Sequence, residues 1–401
     1  MNIPSWKRNL YVCWFGSFVI VAGMNLSIPF LPVYIEQLGH FSVAEIEIWS
    51  GLAFGAAYLV SAIVSPIWGR MADRYGRKPL LLRSSLGMAI TTALTGLVSN
   101  VYQLMGMRLL TGAISGYYSA AVTLVASQTP KEHAGWALGT FSTSIVSGTL
   151  LGPIVGGYLA EILGLRNVFF ITGAMMFVGF IFTALFVKEE FMAVAKNNVS
   201  STDLWGLIPD PAAIRALFIC TLSLTTATLT IEPIITVYVT QLNQSDSYLT
   251  LYSGAVVSAS GLANVMSASY LGKVSDRIGP EKVLLGGLIA STILLIPQAF
   301  VQNIWQLIGL RFLAGIAIAA LLPSINSLIR RSVPTSVTAR IFAYNQSYFM
   351  IGNIMGPLLG GIVAARLGIP YVFYASSLLL MLTALWIRLR LAPSHETSTG
   401  K

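Results

Sequence analysis

In the stretch TLTIEPIITVY, residues 228–238, a glutamate precedes a proline inside an otherwise apolar run, with no charge between Arg215 and Glu232 or between Glu232 and Asp246. Thr221, Thr225, Thr228, Glu232 and Thr236 follow one another at spacings of four, three, four and four, which lays all five on one stripe of a helix. A carboxyl among apolar segments is costly against lipid, so the stripe must face a polar interior. There it has two chemistries open to it: exchanging a proton and attracting a cation. Pro233 removes a backbone hydrogen bond beside it and frees carbonyls to join the same site. The alternative is a structural carboxyl satisfied by its threonines.

Two arginines stand in similar isolation. Arg108 and Arg311 lie in MRLLTG and LRFLAG, each followed four residues later by Gly112 or Gly315. A cation in an apolar helix should turn inward and find acceptors. Arg108 is therefore either a structural hydrogen-bonding post or a group that tunes a neighbouring proton site. As a pair, the two arginines also suit an anionic ligand. Met24, Asn25, Asn264, Asn326, Tyr344, Asn345 and Gln346, with Thr225 and Thr228, supply the few amides, hydroxyls and adaptable apolar groups expected of a cavity for amphipathic molecules. Each of them serves equally well as helix-bundle core.

The elements that hold these residues are membrane helices. Hydrophobic residues make up 55% of the 401 and charged residues 10%, too few charges to cover a soluble protein of this length. Twelve apolar stretches reach the roughly 20 residues that span a bilayer: 10–35, 48–69, 79–99, 102–127, 136–160, 167–187, 216–241, 249–271, 283–301, 305–329, 341–364 and 369–389. Segments of this kind must be helical, because each backbone polar group needs a partner within its own segment. Lys7 and Arg8 ahead of the first run mimic a signal peptide, but the run is too long and lacks a cleavage site, so it is read as the first spanning helix.

The net charge of +9 is a topology signal rather than a nucleic-acid footprint. With alternating helices, 20 of the 24 Lys and Arg fall on the side of the N terminus, and only Arg166 and Arg366 on the other. That asymmetry predicts a multi-pass protein of the cell membrane (plasma or inner) with both termini cytoplasmic. Cys13 and Cys220 lie in apolar stretches and read as small hydrophobes. His40, His133 and His395 fall in loops or the tail, so no metal site is expected. No G-x-x-x-x-G-K-[ST] loop occurs; no cofactor and no enzyme activity are expected, and any uphill transport must draw on a gradient.

The chain also repeats itself. GRMADRYGRK at 69–78 returns as GKVSDRIGPEK at 272–282, MRLLTG at 107–112 as LRFLAG at 310–315, LLGPIVGG at 150–157 as IMGPLLGG at 354–361, and IPFLPVYIEQL at 28–38 as EPIITVYVTQL at 232–242. The offset is 203 or 204 residues each time. Two six-helix units follow, residues 1–187 and 216–391, joined by a polar linker over 188–215 and followed by a tail over 392–401. Pairs of six-helix units are related by an axis along the membrane normal.

These motifs resemble those of the major facilitator superfamily. GRMADRYGRKPLL is similar to its signature loop, G-x-x-x-D-R-x-G-R-[KR], here Gly69, Asp73, Arg74, Gly76, Arg77 and Lys78. GTLLGPIVGG, with Gly148, Gly152, Pro153, Gly156 and Gly157, is similar to its antiporter element. Together they resemble the 12-helix drug:proton antiporters, the bacterial multidrug efflux group, over essentially the whole chain. The resemblance implies an all-α integral membrane protein of 12 transmembrane helices in two pseudo-symmetric six-helix bundles. It implies exchange of small amphipathic or cationic drugs for protons; a monomer is expected. Asp73 then latches the cytoplasmic gate against the N-terminus of the eleventh helix; the other reading is a solvated basic loop. The antiporter glycines form a close helix seam able to slide between two arrangements. Many relatives carry an acid in the first helix, but residues 10–35 contain none, so the proton site shifts to Glu232. A dedicated carrier of a metabolite, sugar or organic anion is the rival reading, and a non-transporting receptor or scaffold the rival of another class.

Overall fold

The computed structural model describes residues 4–189, 207–242, 248–334 and 337–391. Twelve helical units follow one another among them: α1 Ser5–Gln37, α2 Val43–Tyr75, α3 Lys78–Thr95, α4 Val101–Gln128, α5 Ala134–Leu163, α6 Leu165–Phe186, α7 in two pieces, Pro211–Leu229 and Ile235–Leu242, α8 Leu249–Ile278, α9 Pro280–Leu295, α10 Ile304–Ser332, α11 Thr338–Leu367 and α12 Ile369–Leu391. Eleven described helices are long and apolar enough to cross a bilayer. The exception is α3, a helix in which Arg83, Ser84, Ser85 and three threonines dilute the apolar residues.

Most of the linker (190–206) and the tail (392–401) lie outside the described residues. Several boundaries differ from the sequence reading: α1 starts at Ser5 rather than near 10, α2 ends at Tyr75 rather than near 69, and α8 ends at Ile278 rather than near 271. α2 starts at Val43 rather than near 48, because Ser42 and Glu45 form a capping box: the Ser42 hydroxyl accepts from the Glu45 N–H, and the Glu45 carboxylate accepts from the Ser42 N–H. Glu47 is thereby drawn into the second turn and buried, 3% exposed.

Among the described residues four helices are interrupted, in two pairs matching the internal repeat. α1 tightens into a 3₁₀ turn over Ile28–Phe30, and α7 breaks over 230–234, around Glu232 and Pro233. Pro29 and Pro233 occupy corresponding places, and neither can donate to the preceding turn. α4 breaks at Ser115 and Gly116, where φ is +123°, and α10 is interrupted at Ala320.

Packing follows the same duplication. α1 runs along α5 and α6, α3 along α6, and α2 along α4; α7 runs along α11 and α12, α9 along α12, and α8 along α10. One apolar core is built from residues of the second six helices, with Phe218, Leu284, Leu307 and Phe373 among its buried members. Two smaller cores lie in the first six, around Phe141 and Met176 and around Phe30 and Phe169. Backbone approach is closest at the glycine seams. A Cβ at Gly148, Gly152 or Gly156 would run into α1 between Val21 and Leu26, and one at Gly352, Gly356 or Gly360 into α7 between Leu222 and Thr230. With lipid as the competing solvent, such backbone-to-backbone contact supplies the van der Waals energy that hydrophobicity cannot.

Candidate functional site

The two halves meet along two symmetry-related seams, α5 on α8 and α11 on α2. In the first, Gly254 faces the Pro153 carbonyl and Gly157 the backbone of Thr250 and Leu251; in the second, Gly51 faces the Pro357 carbonyl and Gly361 that of Glu47. Hydrogen bonds join the halves as well: the Ser258 hydroxyl donates to Leu150 O (3.1 Å), Thr250 to Gly157 O (3.0 Å), and Thr236 to Pro29 O. These contacts occupy the middle of the helices and the face opposite the start of α1 and the end of α12, called the far face below; the other is the terminus-bearing face.

Beyond Ser258 and Leu150, toward the terminus-bearing face, α5 and α8 diverge and leave a cavity of about 260 Å³. Ile145, Val146 and Thr149 of α5 form one wall, Gly261 and Asn264 of α8 another, and Thr228 of α7 and Ile318 of α10 complete it. The lining is apolar apart from a few hydroxyls and one amide, the chemistry that holds amphipathic molecules without demanding a fixed shape.

Glu232 stands one turn beyond Thr228, at the break in α7. It lies deep in the molecule yet keeps part of its surface open, as a side chain on an internal space does. Arg311 of α10 and Tyr58 of α2 are within electrostatic reach of it, and Arg108 of α4 is within reach of Tyr58. Both arginines are buried, 8% exposed for Arg108 and 5% for Arg311. They are brought inward by their following glycines: Gly112 lets α4 press on the Ala57 carbonyl, and Gly315 lets α10 press on Ser260. The Arg108 Nε and Nη2 and the Arg311 Nε are buried without a protein hydrogen-bond partner. An unpaired buried N–H is costly, so these groups mark where a bound molecule, water or carboxylate is wanted.

The threonine stripe does not act as one unit. Thr221, Thr225 and Thr236 are buried, and only Thr228 and Glu232 remain partly open. Thr225 is pressed against Gly352 of α11, and Thr221 donates to Asn345 Oδ1 at 2.8 Å. Thr225 and Asn345, both expected on the cavity, are thus seam residues between α7 and α11, because the glycines of α11 let the two backbones approach there. Asn25 is half-buried against Gly152, its amide donating to Val21 O, and Met24 is half-buried beside the core around Phe141. Asn326, Tyr344 and Gln346 are exposed, and none of the three is on the cavity wall.

At the terminus-bearing face, Gly69, Arg70 and Arg74 are exposed at the end of α2, and Gly76 turns the chain with φ +88°. The Asp73 side chain lies outside what is described. A different acid occupies the N-terminus of α3: the Glu189 carboxylate accepts from Arg77 N (2.9 and 2.8 Å) and Lys78 N (2.7 Å). Lys78 Nζ returns to Ala184 O, and Asn9 holds both the N–H and the carbonyl of Lys188. The start of the linker is thereby fastened to α1, α3 and α6. Sequence reading missed Glu189, Tyr58 and Glu47. A free helix N-terminus next to an acid-rich linker was a usable signal for Glu189, whereas a lone tyrosine in an apolar helix gave none for Tyr58.

The model of the Major Facilitator Superfamily matches residues 13–254 and 217–401. The chain is 45% identical to Multidrug resistance protein MdtG of Dickeya zeae (strain Ech586) over 394 residues, covering 98% of this chain and 97% of that protein. It is 45% identical to the protein of that name from Citrobacter koseri over 402 residues, covering 100% and 99%. Among solved structures, a bacterial homolog of the human lysosomal transporter Spinster, in an inward-facing and occupied conformation, superimposes with a TM-score of 0.80 at 15% identity, covering 98% of each chain. The nucleoside transporter NupG does so with a TM-score of 0.75 at 16% identity, covering 96% of this chain and 99% of that one. The described chain is a multi-pass membrane protein with the fold these two share.

Proposed function

Since this chain belongs to the Major Facilitator Superfamily, we propose that it is a multidrug exporter that exchanges small amphipathic or cationic compounds for protons by alternating access. The observation that carries the coupling is the placement of Glu232: an acid at a helix break, partly open, one turn from a cavity residue and facing an arginine from the same half. The relatives named for multidrug resistance support the export direction and the breadth of substrate.

In this reading the terminus-bearing face is cytoplasmic and the far face external. The protein works as a monomer in the cell membrane, its halves 1–187 and 216–391 rocking as two bodies about the α5–α8 and α11–α2 seams. The present arrangement, closed at the far face, is the cytoplasm-accepting state. Deprotonated Glu232 attracts a cationic drug entering between α5 and α8. Opening outward lets a proton from the external medium take the carboxyl and displace the drug. Each proton moving inward down 100 mV contributes about 2.3 kcal/mol. Asp73, Arg74, Arg77 and Lys78 latch the cytoplasmic face in the opposite state, and Glu189 holds the α3 end of that loop in place.

A second reading keeps export but makes the substrate an organic anion. It is favoured by the unpartnered buried N–H groups of Arg108 and Arg311, a bidentate chemistry suited to carboxylate or phosphonate. Uptake into inverted vesicles separates the two. A lipophilic cationic dye accumulated under a pH gradient and released by a protonophore supports the first reading; accumulation of anionic probes alone supports the second; gradient-independent flux of both sinks proton coupling.

A further inference from the structure

Glu161, on the last turn of α5, reaches across to the other half of the molecule. Its Oε1 accepts from the Tyr248 N–H at 3.0 Å, and its Oε2 accepts from the Thr250 hydroxyl at 2.9 Å. Tyr248 is the N-cap of α8 and Thr250 lies in its first turn, the end of a helix at which backbone N–H groups have no partner within their own helix and a negative charge is favoured. The Thr250 hydroxyl has one proton and two acceptors, Glu161 and Gly157 O, both on α5. Tyr248 adds a separate observation. It has φ +63° and ψ +25°, and it is the only non-glycine with positive φ among the described residues. A tyrosine held left-handed is strained, and strain of this kind persists only where surrounding contacts enforce it.

We propose that Glu161 is the latch of the external gate: a carboxylate from one half that caps α8 of the other and holds Tyr248 in its strained turn while the gate is shut. Opening the far face separates α5 from α8, breaks both bonds and frees Tyr248 to relax. Closed and open gates thus exchange a charge-assisted cap against backbone strain, leaving the two close in energy, as a transporter that must visit both requires. The latch is one-sided. The internal repeat places Ala365 where a second acid would stand on α11, and that seam is built on close approaches such as Gly361 to Glu47, Gly51 to Pro357 and Gly55 to Leu358. The inference rests on the alternating-access reading but not on which substrate is carried.

The test uses the purified full-length chain, spin-labelled at Ile162 and Trp305, which are 58% and 71% exposed near the far-face ends of α5 and α10. Pulsed electron resonance then reads the gate as short and long distances. Glu161→Gln removes the charge and keeps the size, so the closed-to-open ratio should fall about tenfold, the equivalent of one charge-assisted bond. Tyr248→Gly removes the strain and keeps the N–H, so the same ratio should rise. Opposite displacements by the two variants, with dye affinity held and turnover altered, are the expected result. An unmoved distribution in Glu161→Gln, or displacement of both variants in one direction, overturns the latch. If the distances shift as expected while no dye is transported, the gate assignment stands and the drug-export reading falls.

Discussion

Gly156 and Gly157 are neighbours in one helix, yet their replacement by alanine should have different consequences. A Cβ at Gly156 would collide with the backbone of Leu26, from the same half, while one at Gly157 would collide with the backbone of Thr250 and Leu251, from the other half. Neither obstacle is the tip of a flexible side chain, so the helices themselves must separate. Overpacking of this sort costs about 1–3 kcal/mol, offset at Gly156 by about 0.5–1 kcal/mol from the better helix preference of alanine. Gly156→Ala should therefore lower the unfolding midpoint in detergent by a few degrees, on a scale of about 2–4 °C per kcal/mol for a body the size of one half. At Gly157 the clash exists only while the far face is closed, whereas the helix preference acts in both states and cancels. Its 1–3 kcal/mol should appear as a displacement of about 5- to 150-fold toward the open gate, with little change in the midpoint. Thermal unfolding followed by intrinsic fluorescence, together with distances between labels at Ile162 and Trp305, separates the two effects. Equal losses of midpoint with unmoved distances in both variants would refute the assignment of one seam to folding and the other to gating.

Other expected outcomes follow from the same geometry. Asp73→Asn should impair transport while leaving dye binding intact and should raise the cytoplasm-open population, by about 1 kcal/mol if one charge–dipole contact is lost; normal transport would reduce the loop to a topology signal. Glu189→Gln should weaken the hold on α3 by about 1.5–3 kcal/mol, the range for bonds to a charged group, and speed proteolysis within the linker; protection equal to that of the parent protein would show that the clamp is dispensable. Arg311→Gln should change the pH dependence of cation binding more than Arg108→Gln, because Arg311 is within electrostatic reach of Glu232 whereas Arg108 is within reach of Tyr58; equal effects would place the two arginines on the same footing. A cysteine at Arg366 should react with an impermeant thiol reagent from outside whole cells and one at Ser200 should not, and the reverse pattern would invert the orientation.

What could be read in the amino-acid order was what is periodic or duplicated. Twelve helical units, eleven of them apolar and long enough to span, the offset of about 204 residues and the close-packed glycines of α5 emerge in place, because membrane helices have one local solution and small residues allow close approach between them. Apolar periodicity does not mark a boundary set by a cap: the Ser42–Glu45 box starts α2 at Val43, so Glu47 falls inside the helix, where α11 packs on its backbone. The threonine stripe was legible as a stripe but not in its division, since the face that meets Gly352 depends on α11, more than 100 residues away in the chain. Contacts across halves, such as Glu161 on Tyr248, leave no local trace in the sequence.

The central claim is that one carboxyl, Glu232, is shared in turn by proton and cationic drug. The most direct measurement is transport by purified Glu232→Gln in proteoliposomes, driven by an imposed pH gradient, with binding of a cationic dye titrated across pH in the same preparation. The account predicts that gradient-driven export of the cation is lost, that its binding no longer varies with pH, and that a neutral substrate of similar size is affected less. Export of the cation at the parent rate, with its pH dependence intact, would contradict it and move the coupling to another acid.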